Sequence, residues 1–148
     1  MGKRNKQNIA KLTLEAIPSV FKEMVEFFHF LMKSFVCTVF IDSLENVYIA
    51  DSDNQRIMKW ASGATEGTVV AGGNGSGSAN NQLNDPSGLY VDSSGNIYIA
   101  DSSNHRIMKW APGASSGTLF AGGYALENQA NDTVTGFYRP YGVHVDSS

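Results

Sequence analysis

Apolar residues fall along this chain in short bursts separated by polar and glycine-rich stretches, and the bursts of the central part are rich in aromatic and β-branched residues. Residues 89–91, 97–100, 106–110 and 118–121 are each strand-sized. Asp92-Ser93-Ser94-Gly95-Asn96 separates the first two, and Gly95 is free to take the positive φ that a tight hairpin requires. Asp101-Ser102-Ser103-Asn104 reads as a turn between the second and third, its carboxylate and amide suited to local backbone hydrogen bonds. Within Ile107-Met108-Lys109-Trp110, a period of two sends Met108 and Trp110 to one face and Ile107 to the other. Lys109 can then lay its stem over the sheet and keep its ammonium wet. The predicted unit is therefore a four-stranded antiparallel sheet with two apolar faces.

That unit recurs. At an offset of 50, Asp42-Ser43-Leu44-Glu45-Asn46-Val47-Tyr48-Ile49-Ala50-Asp51 overlies Asp92-Ser93-Ser94-Gly95-Asn96-Ile97-Tyr98-Ile99-Ala100-Asp101. Arg56-Ile57-Met58-Lys59-Trp60-Ala61 equals the six residues from Arg106 to Ala111, and Ala71-Gly72-Gly73 equals Ala121-Gly122-Gly123. About 22 of 35 aligned positions are identical, which marks an internal repeat. A third unit starts near Phe137, where Pro140-Tyr141-Gly142-Val143-His144-Val145-Asp146 lies over Pro86-Ser87-Gly88-Leu89-Tyr90-Val91-Asp92 at an offset of 54. The four extra residues fall in Asn- and Gly-rich sequence that reads as loop, where added length costs little.

The pattern Pro86-x-Gly88-Leu89-x-Val91-Asp92-x-x-Gly95-Asn96-Ile97-Tyr98-Ile99-Ala100-Asp101-x-x-Asn104-x-Arg106-Ile107 resembles the NHL repeat. The resemblance covers residues 37–148 and implies a mainly β fold. It would be a partial β-propeller of four-stranded antiparallel blades, with an N-terminal amphipathic helix before it. The expected division is 1–36 for a basic start and the helix, 37–85 for unit one, 86–136 for unit two and 137–148 for a truncated unit three. Asp51, Asn54 and Arg56, repeated as Asp101, Asn104 and Arg106, are expected to be blade architecture, as are Gly88, Gly95 and Gly142. In that role the guanidinium would bridge turn carbonyls or a carboxylate. Unit one departs from the pattern, with Cys37-Thr38 in place of Pro-x-Gly and Glu45 in place of Gly95, so its first strand and turn lack the pattern's support.

Ahead of the repeats, Lys22, Glu26, His29 and Lys33 recur at helical spacing while Phe21, Met24, Phe28, Leu31, Met32 and Phe35 fill the opposite side. This predicts an amphipathic helix beyond Pro18, suited to packing over a blade face. It is not a membrane span: the window 20–39 carries Lys22, Glu23, Glu26, His29 and Lys33, and one central charge already costs about 3 kcal/mol. The same polar residues interrupt any signal-peptide core, and no small-residue cleavage site follows. Lys6 spoils the acylation pattern that begins Met1-Gly2. Together these favour a cytoplasmic over a secreted location.

Charge sharpens the choice of partner. The net charge of −3 divides unevenly, with six Lys/Arg against three Asp/Glu up to Phe35 and five against eleven beyond it. An acidic repeat region is poorly suited to a phosphate backbone, so nucleic acid is not the expected partner. The hydrophobic content of 42% and charged content of 17% describe a chain that folds.

The candidates for chemistry are few. Cys37 is the only cysteine, which excludes an internal disulfide and a thiolate metal cluster made by this chain alone. Asp51-x-Asp53-x-Gln55 suggests a calcium loop, but Arg56 holds the glycine position, Ser62 the glutamate position, and unit two has Ser103 for Asp53. His29, His105 and His144 lack metal-ligand neighbours at useful spacing. The stretch 72–77 lacks the lysine and helix of a phosphate loop. Asn74-Gly75-Ser76 and Asn131-Asp132-Thr133 fit the glycosylation pattern but matter only for a secreted protein.

The expectation is a non-enzymatic binding or scaffold module without metal or cofactor, recognising a protein or small ligand. The alternatives are a fragment of a propeller enzyme, such as a metal-dependent lyase, or of a ubiquitin-ligase-associated protein whose catalytic part lies elsewhere. Two units and a cut third cannot close a ring, so self-association through open blade faces is also expected of the isolated chain.

Overall fold

The computed structural model describes residues 38–123 and 137–146. The helix expected beyond Pro18, together with His29, Cys37 and the Asn131-Asp132-Thr133 tripeptide, lies outside the described residues. Among the described residues, no helix is long and apolar enough to cross a membrane.

Among the described residues, eight strands form in chain order: β1 (Val39–Ile41), β2 (Val47–Asp51), β3 (Arg56–Trp60), β4 (Thr68–Gly72), β5 (Pro86–Val91), β6 (Ile97–Asp101), β7 (Arg106–Trp110) and β8 (Thr118–Gly122). They make two four-stranded antiparallel sheets, each a meander in which sequence neighbours pair. The registers repeat as the sequence does. Ile49 pairs with Met58 as Ile99 pairs with Met108, and a bulge follows Ile57 in one sheet and Ile107 in the other. Unit two begins its first strand at Pro86, earlier than the apolar run alone indicates, because a bulge at Ser87 lets Pro86 lie opposite Asp101.

β1 and its turn form despite the departures of unit one. Gly95 takes φ 81 in the β5–β6 turn, and Glu45 takes φ 61 at the same place in the β1–β2 turn. What holds both turns is the aspartate that opens them. Asp42 Oδ1 accepts the Leu44 and Asn46 amides at 2.9 Å each, and Oδ2 accepts the Asn46 side-chain amide at 2.8 Å and the Tyr48 hydroxyl at 3.2 Å. Asp92 repeats this set with Ser94, Asn96 and Tyr98. Four hydrogen bonds to one carboxylate stabilise the turn strongly enough for a non-glycine residue to occupy the left-handed region.

The main core lies between the sheets. Tyr48, Ala50, Ile57 and Ala71 from one face of the first sheet meet Leu89, Val91, Ile97, Ile99, Met108 and Trp110 from one face of the second. The second sheet's other face carries Tyr98, Ala100 and Ile107, and Val143 and Val145 of the third unit pack against it. Met108 and Trp110 thus point one way and Ile107 the other. Lys109 places its ammonium 5.3 Å from the Tyr98 ring centroid, as Lys59 does over Tyr48, so each stem crosses an aromatic face while the head stays near water.

Candidate functional site

In each meander, the β1–β2 and β3–β4 turns lie at one end, and the β2–β3 turn and the connection to the next unit lie at the other. The second end gathers nearly all of the polar residues singled out from the sequence. There a 3-10 turn joins the middle strands, Ser52–Asn54 in unit one and Ser102–Asn104 in unit two, followed by Gln55 or His105 in the left-handed region at φ 55 and 56.

The Asp-Asn-Arg set comes together in both turns, with unequal surroundings. Asp51 accepts the Asn54 side-chain amide at 3.0 and 3.1 Å and Arg56 Nε at 2.8 Å. Asp101 accepts the Asn104 amide at 2.9 Å and Arg106 Nε at 2.7 Å, and its second oxygen accepts the Asn84 backbone amide at 2.7 Å. The carboxylates therefore reach side chains and a distant amide rather than capping their own turns, where no side-chain cap bond forms. Arg106 also donates to the carbonyls of Ser78 at 2.8 Å and of Ala79 and Gln82 at 3.2 Å each, gathering the loop before unit two. Its side chain is 9% exposed and that of Asp101 is 0%, against 34% and 11% for Arg56 and Asp51. Desolvation makes the second pair far more demanding than the first. Among the described residues, no three His, Cys, Asp or Glu side chains gather as a metal site.

Equivalent contacts fasten one unit to the next at this end. Ser52 Oγ donates to Pro86 O at 2.5 Å, and Ser102 Oγ donates to Pro140 O at 2.6 Å. Gln55 Oε1 accepts the Asp85 amide at 2.7 Å, and His105 Nδ1 accepts the Arg139 amide at 3.1 Å. Gly88 is needed for close approach: a Cβ there would stand 2.5 Å from Tyr141 O and 2.8 Å from Gly142 Cα. In unit one the same position is Thr38, whose hydroxyl donates to Ser87 O at 2.5 Å. Gly142 itself has open space where a Cβ would stand.

The outer rim of this end is polar and aromatic. Arg139 Nη2 donates to Asp85 Oδ2 at 2.8 Å, tying two successive unit connections together. Tyr138, 73% exposed, stacks on His105 with ring centroids 5.3 Å apart and planes 24° apart.

Sequence reasoning missed several of these residues. Ser52 and Ser102 are identical across the repeat, a signal that was present but unspecific. Gln55 and His105 differ in type and share only acceptor capacity. Gly67 and Gly117 are also identical, and a Cβ on either would fall within 2.6 Å of the Trp60 or Trp110 ring.

Two four-stranded antiparallel meanders, packed face to face and fastened by equivalent side chains, are consistent with successive blades of a propeller-type repeat protein. Residues 83–110, which carry β5, β6 and β7, match the family model described as the NHL repeat. That match is consistent with an NHL-type repeat built as a propeller blade. No curated protein matches the chain.

Proposed function

We propose that the repeat region is a non-enzymatic binding module that recognises a protein through the end carrying the β2–β3 turns and the unit connections. The observation that carries this reading is the division of labour at that end. The Asp-Asn-Arg sets are consumed internally, Asp101 by three donors and Arg106 by four acceptors. In this reading Asp51, Asn54, Arg56, Asp101, Asn104 and Arg106 are architecture, as are Gly88, Gly95 and Gly142. What remains outward is Asp53, Tyr138 and the Asp85–Arg139 pair. Tyrosine and arginine on a rigid frame are the residue types that anchor protein interfaces.

A photo-crosslinking amino acid placed at Asp53 or Tyr138, and separately at Leu44 or Pro112 in the turns of the opposite end, tests the assignment. Partner crosslinks are expected from the first pair and not the second. Crosslinks confined to the second pair would overturn the choice of end, and metal-dependent turnover by the protein would overturn the binding reading itself.

A further inference from the structure

The two unit junctions are built on one plan, but one closes on an amide oxygen and the other on an imidazole nitrogen. At the first, Gln55 Oε1 accepts the Asp85 amide; at the second, His105 Nδ1 accepts the Arg139 amide. Both donors sit on residues in the left-handed region, at φ 57 and 44, and both acceptors follow the same 3-10 turn. Accepting at Nδ1 requires the neutral imidazole with its proton on Nε2. We propose that His105 is a proton-sensitive latch whose bond to the Arg139 amide opens at mildly acidic pH, loosening the second junction, while the Gln55 junction stays closed.

A second proton converts Nδ1 from acceptor to donor and sets two N–H groups against each other across 3.1 Å. The stacked Tyr138 ring offers the resulting cation some compensation, but the neighbouring carboxylates are already paired. From the turn and β7 come Asp101 and Arg106, paired with each other; from the unit connection comes Asp85, paired with Arg139; from the third unit come Tyr138, stacked on the ring, and Arg139 itself. Both carboxylates are thus already held by guanidinium groups. His144, also in the third unit, lies against Tyr90 with ring centroids 4.9 Å apart and beside Asp146 at 3.5 Å. Imidazole changes charge between pH 5 and 8, a range in which a glutamine amide does not titrate.

The test is amide hydrogen exchange on the full 148-residue chain at pH 8 and pH 5, each rate divided by that of an unstructured chain at the same pH. Protection of the Arg139 amide is expected to fall about tenfold or more at pH 5, while that of Asp85 stays level. In His105→Gln, which installs the residue of the other junction, both amides should keep their protection at both pH values. Unchanged protection of Arg139 in the native chain, or an equal fall at Asp85, would overturn the proposal. So would a fall at Arg139 in His105→Gln that matches the native chain, since the cause would then be His144 or the carboxylates. If His105→Gln does not fold, the comparison of Arg139 with Asp85 in the native chain decides alone.

Discussion

Replacing Arg106 by methionine, and separately Arg56 by methionine, removes the same guanidinium from the same position of two repeats, yet the structure predicts very different costs. Arg106 makes four hydrogen bonds, one to a carboxylate with no solvent exposure. The loop carbonyls of Ser78, Ala79 and Gln82 can regain water once the loop loosens; Asp101 cannot. Stranding a buried charge in this way costs about 3–5 kcal/mol. Arg56 donates to Asp51, and the pair is partly wet, so solvent screening reduces its loss to about 0–1 kcal/mol. Urea titration read by fluorescence measures both, since Trp60 and Trp110 place one reporter in each sheet. With a slope of about 1–3 kcal/mol per molar, Arg106→Met should lower the midpoint by roughly 1–5 M and Arg56→Met by a small fraction of that. Adding Asp101→Asn to Arg106→Met should recover part of the loss, because the stranded charge goes with it. Equal midpoints for the two single variants would refute the claim that burial decides the value of this pair.

Gly88→Ala places a methyl group 2.5 Å from Tyr141 O, backbone against backbone, so it should cost about 1–3 kcal/mol. Its effect should appear as lost amide protection at Val143 and Val145 with little change in β2 and β3. Leu83→Ala, at a fully buried side chain that packs into the core between the sheets, should destabilise by about 2–5 kcal/mol in the same urea assay. Acid should also loosen the hairpins. Burial pushes the Asp42 and Asp92 carboxyls up, but the hydrogen bonds from Asn46 and Asn96 and their neighbours outweigh it and leave both below the ordinary carboxylate value. A lowered folded value means the stabilisation is present above about pH 4 and is lost as pH falls through the folded value. Asp42→Asn and Asp92→Asn should therefore flatten the acid limb of a stability-versus-pH curve.

The strands were legible because alternation and the 50-residue offset reinforce each other, so each apolar run was seen twice. The faces were legible too, since a period of two assigned Met108 and Trp110 to one side without knowledge of their partners. Leu83 was not, because it is a single apolar residue in an Asn- and Gly-rich stretch and its burial depends on the approach of a second sheet. The turn of unit one was under-read for a related reason. Glu45 at a glycine position left the turn without the pattern's support, whereas the four donors that Asp42 collects decide the conformation. At the candidate site, the Asp-Asn-Arg residues stood out by identity, but the reach of Asp101 to Asn84 and of Arg106 to the preceding loop are contacts between segments and leave no periodic trace.

The same contrast explains where this repeat can vary. Residues that face a neighbouring unit must satisfy a fixed donor or acceptor: Ser52 and Ser102 both serve a proline carbonyl, and Gln55 and His105 both serve an amide of the unit connection. Chemistry constrains such positions more than residue identity does, so a serine stays a serine while an amide can give way to an imidazole. Residues on the rim answer to no such partner in every unit, and Asn84 and Asp85 of one connection are replaced by Tyr138 and Arg139 in the next. Because each junction is closed by its own short set of bonds, a change in one acts on its nearest neighbours first. A repeat array of this kind can thus acquire a distinct surface, or a distinct response at one junction, without altering the sheets that carry it.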